Sequence, residues 1–159
     1  IDTDVLAPGF YMKSPLAELA EHCLEALRPE FASKVQKGDV ILAGDNMGVG
    51  SSREQAAEVL KYHGIAAVIA RSFAGIFYRN SINLGLPALI LPKGLTLPDE
   101  CVDGAEISFQ FDKSMLTLTN SQKVIGCEPI PTFLKTMIDD GGLVPHLEKR
   151  FSAEVLPKC

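Results

Sequence analysis

The residues best suited to chemistry lie in one short segment, 44–56. It reads Gly-Asp-Asn-Met-Gly-Val-Gly-Ser-Ser-Arg-Glu-Gln-Ala and follows an apolar run at 40–43. Glycines let the backbone adopt positive φ and come close to a ligand. Ser51 and Ser52 supply adjacent hydroxyls, and Arg53 supplies a planar, two-pronged donor suited to a carboxylate or phosphate. If a helix follows, its first turn adds unpaired N–H groups, so the segment predicts a site for a small anionic ligand.

Simpler explanations of this segment also exist. A glycine-rich turn between a strand and a helix is often only a tight connection, and Ser51 taken alone fits the role of a helix N-cap. A plain connection, however, needs one capping side chain and not two hydroxyls followed by a guanidinium. Two nucleotide-binding motifs do not fit, because no Gly-Lys-Ser/Thr closes a P-loop and Gly44-x-x-x-Gly48-x-Gly50 has the wrong spacing for a dinucleotide fingerprint.

The elements that must position this segment alternate between strands and helices. Short apolar runs predict buried strands, and apolar residues at helical spacing predict helices between them. The predicted elements are a strand at 39–43, a helix from 52 or 53 to 63, a strand at 65–70, a helix at 73–83 and a strand at 88–91. Such alternation is typical of a parallel sheet. We expect the first strand to be covered on both faces and Ser51 to lie at the helix start.

The rest of the chain predicts helices around a β-hairpin. Period-two alternation after Pro92 indicates the hairpin. The remaining predicted elements are a helix at 16–27, hairpin strands at 107–111 and 115–119, a helix at 131–138 and a helix around 144–149. Because no linker or repeat interrupts the pattern, we expect residues 1–159 to form one mixed α/β domain.

Charge and cysteine spacing exclude several classes of function. The net charge is −5 without a basic block, which argues against a nucleic acid or a membrane surface as partner. The four cysteines are scattered without a Cys-x-x-Cys pair, so we expect them to be structural and the chain to supply no metal site. No secretory leader and no 18-residue apolar run is present, which favours a cytoplasmic location.

Several motifs together resemble one known family. The run Gly48-x-Gly50-Ser51-Ser52-Arg53-Glu54 resembles the signature of the aconitase swivel domain, in particular of the small subunits of the 3-isopropylmalate dehydratase and homoaconitase group. The other segments that match in family order are 1–5, 11–14, 70–80, 83–87 and 133–144. The resemblance therefore covers most of the chain.

The resemblance implies a fold and separate roles for this chain and a large subunit. The expected fold is α/β, three-layered β/β/α, with a mainly parallel sheet and a C-terminal β-hairpin. The expected partner is a large subunit, in a heterodimer or heterotetramer, which holds a [4Fe–4S] cluster, whereas this chain binds no cofactor itself. The expected reaction moves a hydroxyl between adjacent carbons of a hydroxy dicarboxylate or tricarboxylate by dehydration and rehydration.

The resemblance also assigns roles to site residues. Ser51 is the expected catalytic base, Ser52 the expected hydrogen-bond donor to a substrate carboxylate, and Arg53 the expected clamp on that carboxylate. Glu54 is better explained as a favourable charge in the first helical turn than as a second base. Gln55 stands where many relatives carry histidine, which removes a titrating role there.

Substrate choice is expected to depend on the loop 9–14. Lys13 could bind a distal carboxylate, as in a homoaconitate-type substrate, or could be a solvated lysine whose stem packs on apolar surface. We favour 3-isopropylmalate, with homoaconitate and 2,3-dimethylmalate as alternatives. A carboxylate-binding module without catalysis and an RNA-binding domain are further alternatives, and the net acidity speaks against the second.

The remaining polar candidates receive structural roles. His63 is expected to stabilise a helix end, and His22 and His146 are expected to lie on the surface. Asp2 and Asp4 belong to the matching N-terminal motif, but their chemistry is left open.

Overall fold

The computed structural model describes residues 1–154 and builds them from short elements. In chain order these are α1 (Thr3–Leu6), a 3-10 turn (Gly9–Tyr11), α2 (Leu16–Glu21), α3 (Phe31–Lys34), β1 (Val40–Ala43), α4 (Gln55–Tyr62), β2 (Ala67–Ala70), α5 (Gly75–Asn83), β3 (Ala88–Ile90), β4 (Ile107–Gln110), β5 (Met115–Leu118), β6 (Val124–Gly126), α6 (Thr132–Asp139) and α7 (Leu143–Glu154). Cys159 lies outside the described residues.

The three apolar strands form the predicted parallel sheet, in the order β1-β2-β3. All four residues of the central strand β2 are buried. The expectation that the first strand is covered on both faces is wrong, because β1 lies at the sheet edge and Leu42 remains 36% exposed. A short apolar run does not distinguish a central strand from an edge strand.

The predicted hairpin is confirmed and gains a third strand. β4 and β5 pair antiparallel, and β6 pairs with the other side of β5. The sequence pattern missed β6 because the strand has three residues, of which only Ile125 is buried. A strand this short shows no period-two alternation.

Alternating side chains of β2 connect three layers. Val68 and Ala70 pack into one apolar cluster with residues of α1, α2 and α4. Ala67 and Ile69 pack on the opposite side with Leu116 of β5 and Ile125 of β6. The helices, the parallel sheet and the antiparallel sheet therefore stack in that order, which confirms the three-layer β/β/α fold. That residues 1–159 form a single domain stays a prediction.

Two predicted helix boundaries are wrong. The helix expected at 16–27 ends at Glu21, because the chain turns into the core at Leu24, which has φ +60° and donates its N–H to the Val5 carbonyl at 2.9 Å. The helix expected from 52 or 53 begins only at Gln55. The helices expected at 73–83 and 131–138 are present as α5 and α6, and α7 is longer than the expected 144–149.

No helix within residues 1–154 has both the length and the apolar character needed to cross a membrane.

Candidate active site

The glycine-rich loop between β1 and α4 is held between two other segments. On one side, Met47 forms a parallel bridge with Phe73, just beyond β2, and its N–H donates to the Ser72 carbonyl at 2.9 Å. On the other side, Val49 forms a parallel bridge with Asp2, and its carbonyl accepts the Thr3 N–H at 2.9 Å. The loop thus continues parallel pairing beyond the end of β1, and backbone hydrogen bonds hold it on both sides.

Two glycines allow this close packing. Gly48 has φ +76°, and a Cβ placed there would lie 2.1 Å from the Phe77 ring. Gly50 has φ +123°, and a Cβ there would lie 2.7 Å from the Thr3 hydroxyl. Both the left-handed backbone and the close contacts exclude a larger residue. The glycines that suggested a ligand loop therefore serve first to bring the loop against α5 and the N-terminal segment.

Ser51 is exposed and is bound to the N-terminal segment. Its N–H donates to the Thr3 hydroxyl at 2.9 Å, and its own hydroxyl oxygen lies 3.1 Å from the same Thr3 oxygen. The prediction that Ser51 lies at the helix start is wrong, because α4 begins at Gln55 with Glu54 in the N-cap position. Ser51 is therefore not the N-cap that the simpler explanation required, and Thr3 is its partner instead.

Ser52 is exposed and adjoins the buried side chain of Asn80. The Asn80 amide, on α5, donates to the Ser52 carbonyl at 3.4 Å. Within the described part of the chain, the Ser52 hydroxyl has no hydrogen-bond partner. The hydroxyl is thus free to meet a ligand while the backbone that carries it is held.

Arg53 is mostly buried and turns toward the N-terminal segment. One guanidinium nitrogen donates to the Ala7 carbonyl at 3.0 Å and forms an ion pair with Asp4. The other terminal nitrogen lies near Gly9, where an added Cβ would be 3.6 Å away. The side chain of Arg53 is 23% exposed, and that of Asp4 is 67% exposed. A ligand carboxylate at this position would have to share the guanidinium with Asp4.

The loop 9–14 starts beside Arg53 and is anchored by Tyr11. The Tyr11 ring stacks on the His22 ring, with centroids 3.5 Å apart and planes at 4°. His22 also bonds Glu25 at 2.6 Å and is 25% exposed, so it lies partly at the surface. Lys13 is exposed and makes no hydrogen bond or ion pair with any described residue. The structure brings the start of its loop near Arg53, but no hydrogen bond or ion pair joins Lys13 itself to Ser51, Ser52 or Arg53.

The other histidines have structural contacts. His63 follows α4, and its Nε2 lies 2.8 Å from the Ala20 carbonyl on α2, consistent with its expected structural role. His146 bonds Asp140 at 2.7 Å and is 26% exposed, so it also lies partly at the surface. Lys149 and His146 together lower the pKa of the Asp140 carboxyl through hydrogen bonds. This cluster joins the end of α6 to α7.

The described cysteines, Cys23, Cys101 and Cys127, are free thiols. Burial raises the pKa of Cys23 to about 12 and that of Cys127 to about 11. Burial also raises the pKa of Cys101. Protonated, buried thiols are poor nucleophiles and poor metal ligands, in keeping with their expected structural role.

Sequence reasoning assigned no role to two residues that contact the site, Thr3 and Asn80. Both belong to segments that resembled the family, which was the only available signal. Their contacts with Ser51 and Ser52 join residues 48 and 28 positions apart, so no local pattern could have indicated them.

The surface around the exposed hydroxyls is partly apolar. Phe10 is 90% exposed, Val49 is 47% exposed and Ile76 is 42% exposed. Phe10 follows Gly9 beside Arg53, Val49 lies two residues before Ser51, and Ile76 lies on the first turn of α5. Beyond β2 and β3 lies a cleft of about 310 Å³. Its lining consists of Arg71, Ser72, Phe73, Gly75, Tyr78 and Ile90.

The parallel sheet and its Gly-x-Gly-Ser-Ser-Arg loop lie in the part of the chain that is similar to aconitase C-terminal domains. The family model described as the aconitase C-terminal domain matches residues 22–94, which include β1, β2, β3 and the whole loop. A solved structure of a 3-isopropylmalate dehydratase from Methanocaldococcus jannaschii superposes with a TM-score of 0.86 at 45% identity, covering 96% of this chain and 89% of that one.

Curated relatives match along almost the whole chain. A methanogen homoaconitase small subunit from Methanocaldococcus jannaschii is 46% identical over 94% of this chain and 86% of its own length. A 3-isopropylmalate dehydratase small subunit from Thermotoga maritima is 44% identical over 96% and 90%. A 2,3-dimethylmalate dehydratase small subunit from Eubacterium barkeri is 44% identical over 92% and 89%. The chain belongs to the family of small subunits of aconitase-type dehydratases.

Proposed function

We propose that this chain is the small subunit of an iron–sulfur hydro-lyase that isomerises 3-isopropylmalate by dehydration and rehydration. The observation that carries the proposal is the pair of exposed hydroxyls of Ser51 and Ser52 beside Arg53, on a loop fixed from both sides. Three relatives named as dehydratase or homoaconitase small subunits, each at least 44% identical, support the same reaction class.

The site residues divide the work of the reaction. The Ser51 oxygen, once deprotonated, takes the proton from the carbon next to a substrate carboxylate, and it returns a proton there in the hydration direction. Ser52 donates its free hydroxyl to the carboxylate. Arg53 binds the same carboxylate through its guanidinium, which is already oriented by Ala7 and Asp4. Because backbone contacts hold the loop in place before substrate binds, little conformational entropy has to be lost during the reaction.

The metal chemistry is proposed to belong to a large subunit. No three His, Cys, Asp or Glu side chains among residues 1–154 form a metal-binding group. The [4Fe–4S] cluster implied by the family resemblance would supply, from the large subunit, a Lewis acid for departure of the substrate hydroxyl. The apolar side chains of Phe10, Val49 and Ile76 suit burial by such a partner, in a heterodimer or heterotetramer. The complex is proposed to act in the cytoplasm.

The choice of 3-isopropylmalate rests on the loop 9–14. Phe10 of this loop is apolar and 90% exposed, and it follows Gly9, where an added Cβ would lie 3.5 Å from Asp4 and 3.6 Å from Arg53. An apolar side group of the substrate fits this neighbourhood. One observation favours a second candidate: Lys13, exposed and without a partner among the described residues, could bind the distal carboxylate of homoaconitate.

An anaerobic dehydration assay tests the proposal. The chain is mixed with its native large subunit and offered 3-isopropylmalate, homocitrate and 2,3-dimethylmalate separately, and the absorbance of the unsaturated acid is followed. The large subunit alone is the control. We expect turnover of 3-isopropylmalate by the mixture only. Turnover of homocitrate instead would assign Lys13 to a distal carboxylate, and turnover of none by a loaded complex would favour a carboxylate-binding module.

A further inference from the structure

We propose that Thr3 is a positioning residue for Ser51, and that its hydroxyl stabilises the deprotonated Ser51 oxygen by donating a hydrogen bond to it. The inference rests on the proposed function, since it assigns to Thr3 a part in activating the base. A serine hydroxyl is far too weak an acid to lose its proton at neutral pH unless its surroundings favour the anion. The structure must therefore supply donors to this oxygen.

The hydrogen-bonding capacity of Thr3 points to the direction of its bond. A threonine hydroxyl has one donor hydrogen and two acceptor lone pairs. The Ser51 N–H already occupies one lone pair, at 2.9 Å. The donor hydrogen remains, and the Ser51 hydroxyl oxygen lies 3.1 Å away. Once Ser51 is deprotonated, its oxygen can only accept, so Thr3 must then be the donor.

The hydrogen bond between Thr3 and Ser51 strengthens as negative charge develops on the Ser51 oxygen. A group that helps to form the deprotonated base must act in this way. Between two neutral hydroxyls either oxygen can donate, and the bond is ordinary. When Ser51 becomes an anion, the bond becomes charge-assisted and about twice as strong. An interaction that favours the ionised state over the neutral one lowers the barrier to forming it.

The position of Thr3 is fixed by contacts on all sides. Its side chain is 1% exposed, and its N–H donates to the Val49 carbonyl at 2.9 Å. Its carbonyl accepts the Ala7 N–H at 2.9 Å within the short helix α1. A Cβ at Gly50 would come within 2.7 Å of its hydroxyl, so only glycine there permits the arrangement. The β-branch of threonine restricts its rotamers further, which keeps the hydroxyl on Ser51.

Two substitutions at Thr3 separate the hydroxyl from the packing. Thr3→Val keeps the shape and removes the hydroxyl, whereas Thr3→Ser keeps the hydroxyl. In the mixed enzyme with 3-isopropylmalate, we expect Thr3→Val to lower kcat about 10²-fold with little change in KM, and Thr3→Ser to restore kcat to near the unmodified value. Ser81→Ala is the matched control, because it removes a hydroxyl that is fully buried and, among the described residues, bonded only to the Phe77 carbonyl.

A second measurement needs neither the large subunit nor turnover. Ser51→Cys places a titratable thiol at the position of the base, and its pKa is measured from the pH dependence of alkylation, resolved by peptide mass spectrometry. Adding Thr3→Val to Ser51→Cys removes the donor, and we expect the thiol pKa to rise by about 1. Adding Thr3→Ser should leave it unchanged.

The two measurements distinguish the possible failures. An unmodified chain that turns over no substrate, together with a thiol pKa that depends on the Thr3 hydroxyl, would overturn the proposed reaction and support Thr3 as donor to the residue 51 side chain. An active enzyme in which Thr3→Val keeps its kcat, or a thiol pKa unaffected by Thr3→Val, would overturn the role of Thr3. Equal losses in Thr3→Val and Thr3→Ser would likewise reduce Thr3 to a packing residue.

Discussion

Two serines in two loops of this chain differ in the exposure and the hydrogen bonding of their hydroxyls. Ser51 follows the parallel strand β1, is exposed, and has its N–H and its hydroxyl both at the Thr3 side chain. Ser114 closes the turn between β4 and β5, is 3% exposed, and its hydroxyl is buried without a hydrogen-bond partner among the described residues. Its backbone alone is used, in bonds with Phe111 and Cys127.

The difference separates a site from a structural turn. A paired hydroxyl that still reaches solvent can be oriented, deprotonated and presented to a ligand. A buried hydroxyl without a hydrogen-bond partner lowers the stability of the fold and cannot contact a ligand. The turn between β4 and β5 thus belongs to the packing of the core. In the connection after β1, two glycines allow close packing, and Thr3 and Asn80 hold two serines by hydrogen bonds.

The largest expected effect comes from removing the hydroxyl of Ser51. Ser51→Ala should lower turnover by at least about 10³-fold, because the base is lost. Co-elution with the large subunit should be unchanged, since the side chain is exposed. Ser114→Ala is the matched serine control and should keep full turnover. Normal activity in Ser51→Ala would contradict the assignment of the base.

The next effect concerns the packing that holds the loop. Gly48→Ala places a Cβ 2.1 Å from the Phe77 ring at a backbone with φ +76°. We expect the free energy of unfolding to fall by about 3 kcal/mol, from steric overlap and backbone strain. Urea denaturation measures the loss. Gly44→Ala, in the same loop with open space around the added methyl, is the control and should denature like the unmodified chain.

A smaller effect is expected at the carboxylate clamp. Arg53→Lys replaces a two-pronged donor by a point charge, so KM should rise about tenfold while kcat changes less. Steady-state kinetics of the mixed enzyme measures both constants. Arg28→Lys is the matched control, because Arg28 forms a bidentate but exposed pair with Asp103. A KM unaffected by Arg53→Lys would argue against the clamp.

The smallest effect tests the structural serine. Ser114→Ala removes a buried hydroxyl that has no partner among the described residues, so the free energy of unfolding should rise by about 1 kcal/mol. The urea midpoint measures the change. A destabilised variant would indicate that a water molecule or another group satisfies this hydroxyl.

The comparison also explains what the sequence could and could not predict. Residue types indicated a site for a small anionic ligand at Ser51 to Arg53, which stays a prediction. Apolar periodicity predicted the parallel sheet and the hairpin, which the structure contains. The helix start was misplaced because the serines before Glu54 look like N-capping residues. In the structure Ser51 bonds Thr3 and the Ser52 carbonyl accepts from Asn80 instead, and the helix begins at Gln55. The turn at Leu24 was missed because its cause is a hydrogen bond to Val5, 19 positions away. Local patterns do not encode contacts of this kind.

The bond between Thr3 and Ser51 joins residues 48 positions apart, which has a consequence for folding. Closing a chain segment of this length costs entropy before any local reward, and contacts of high sequence separation slow folding. The strands and helices can form while the N-terminal segment is still detached. The site is then completed only when that segment docks on the glycine-rich loop. In native-state hydrogen exchange, the Ser51 amide should therefore open with the segment 1–7, at a lower free energy than the amides of β2.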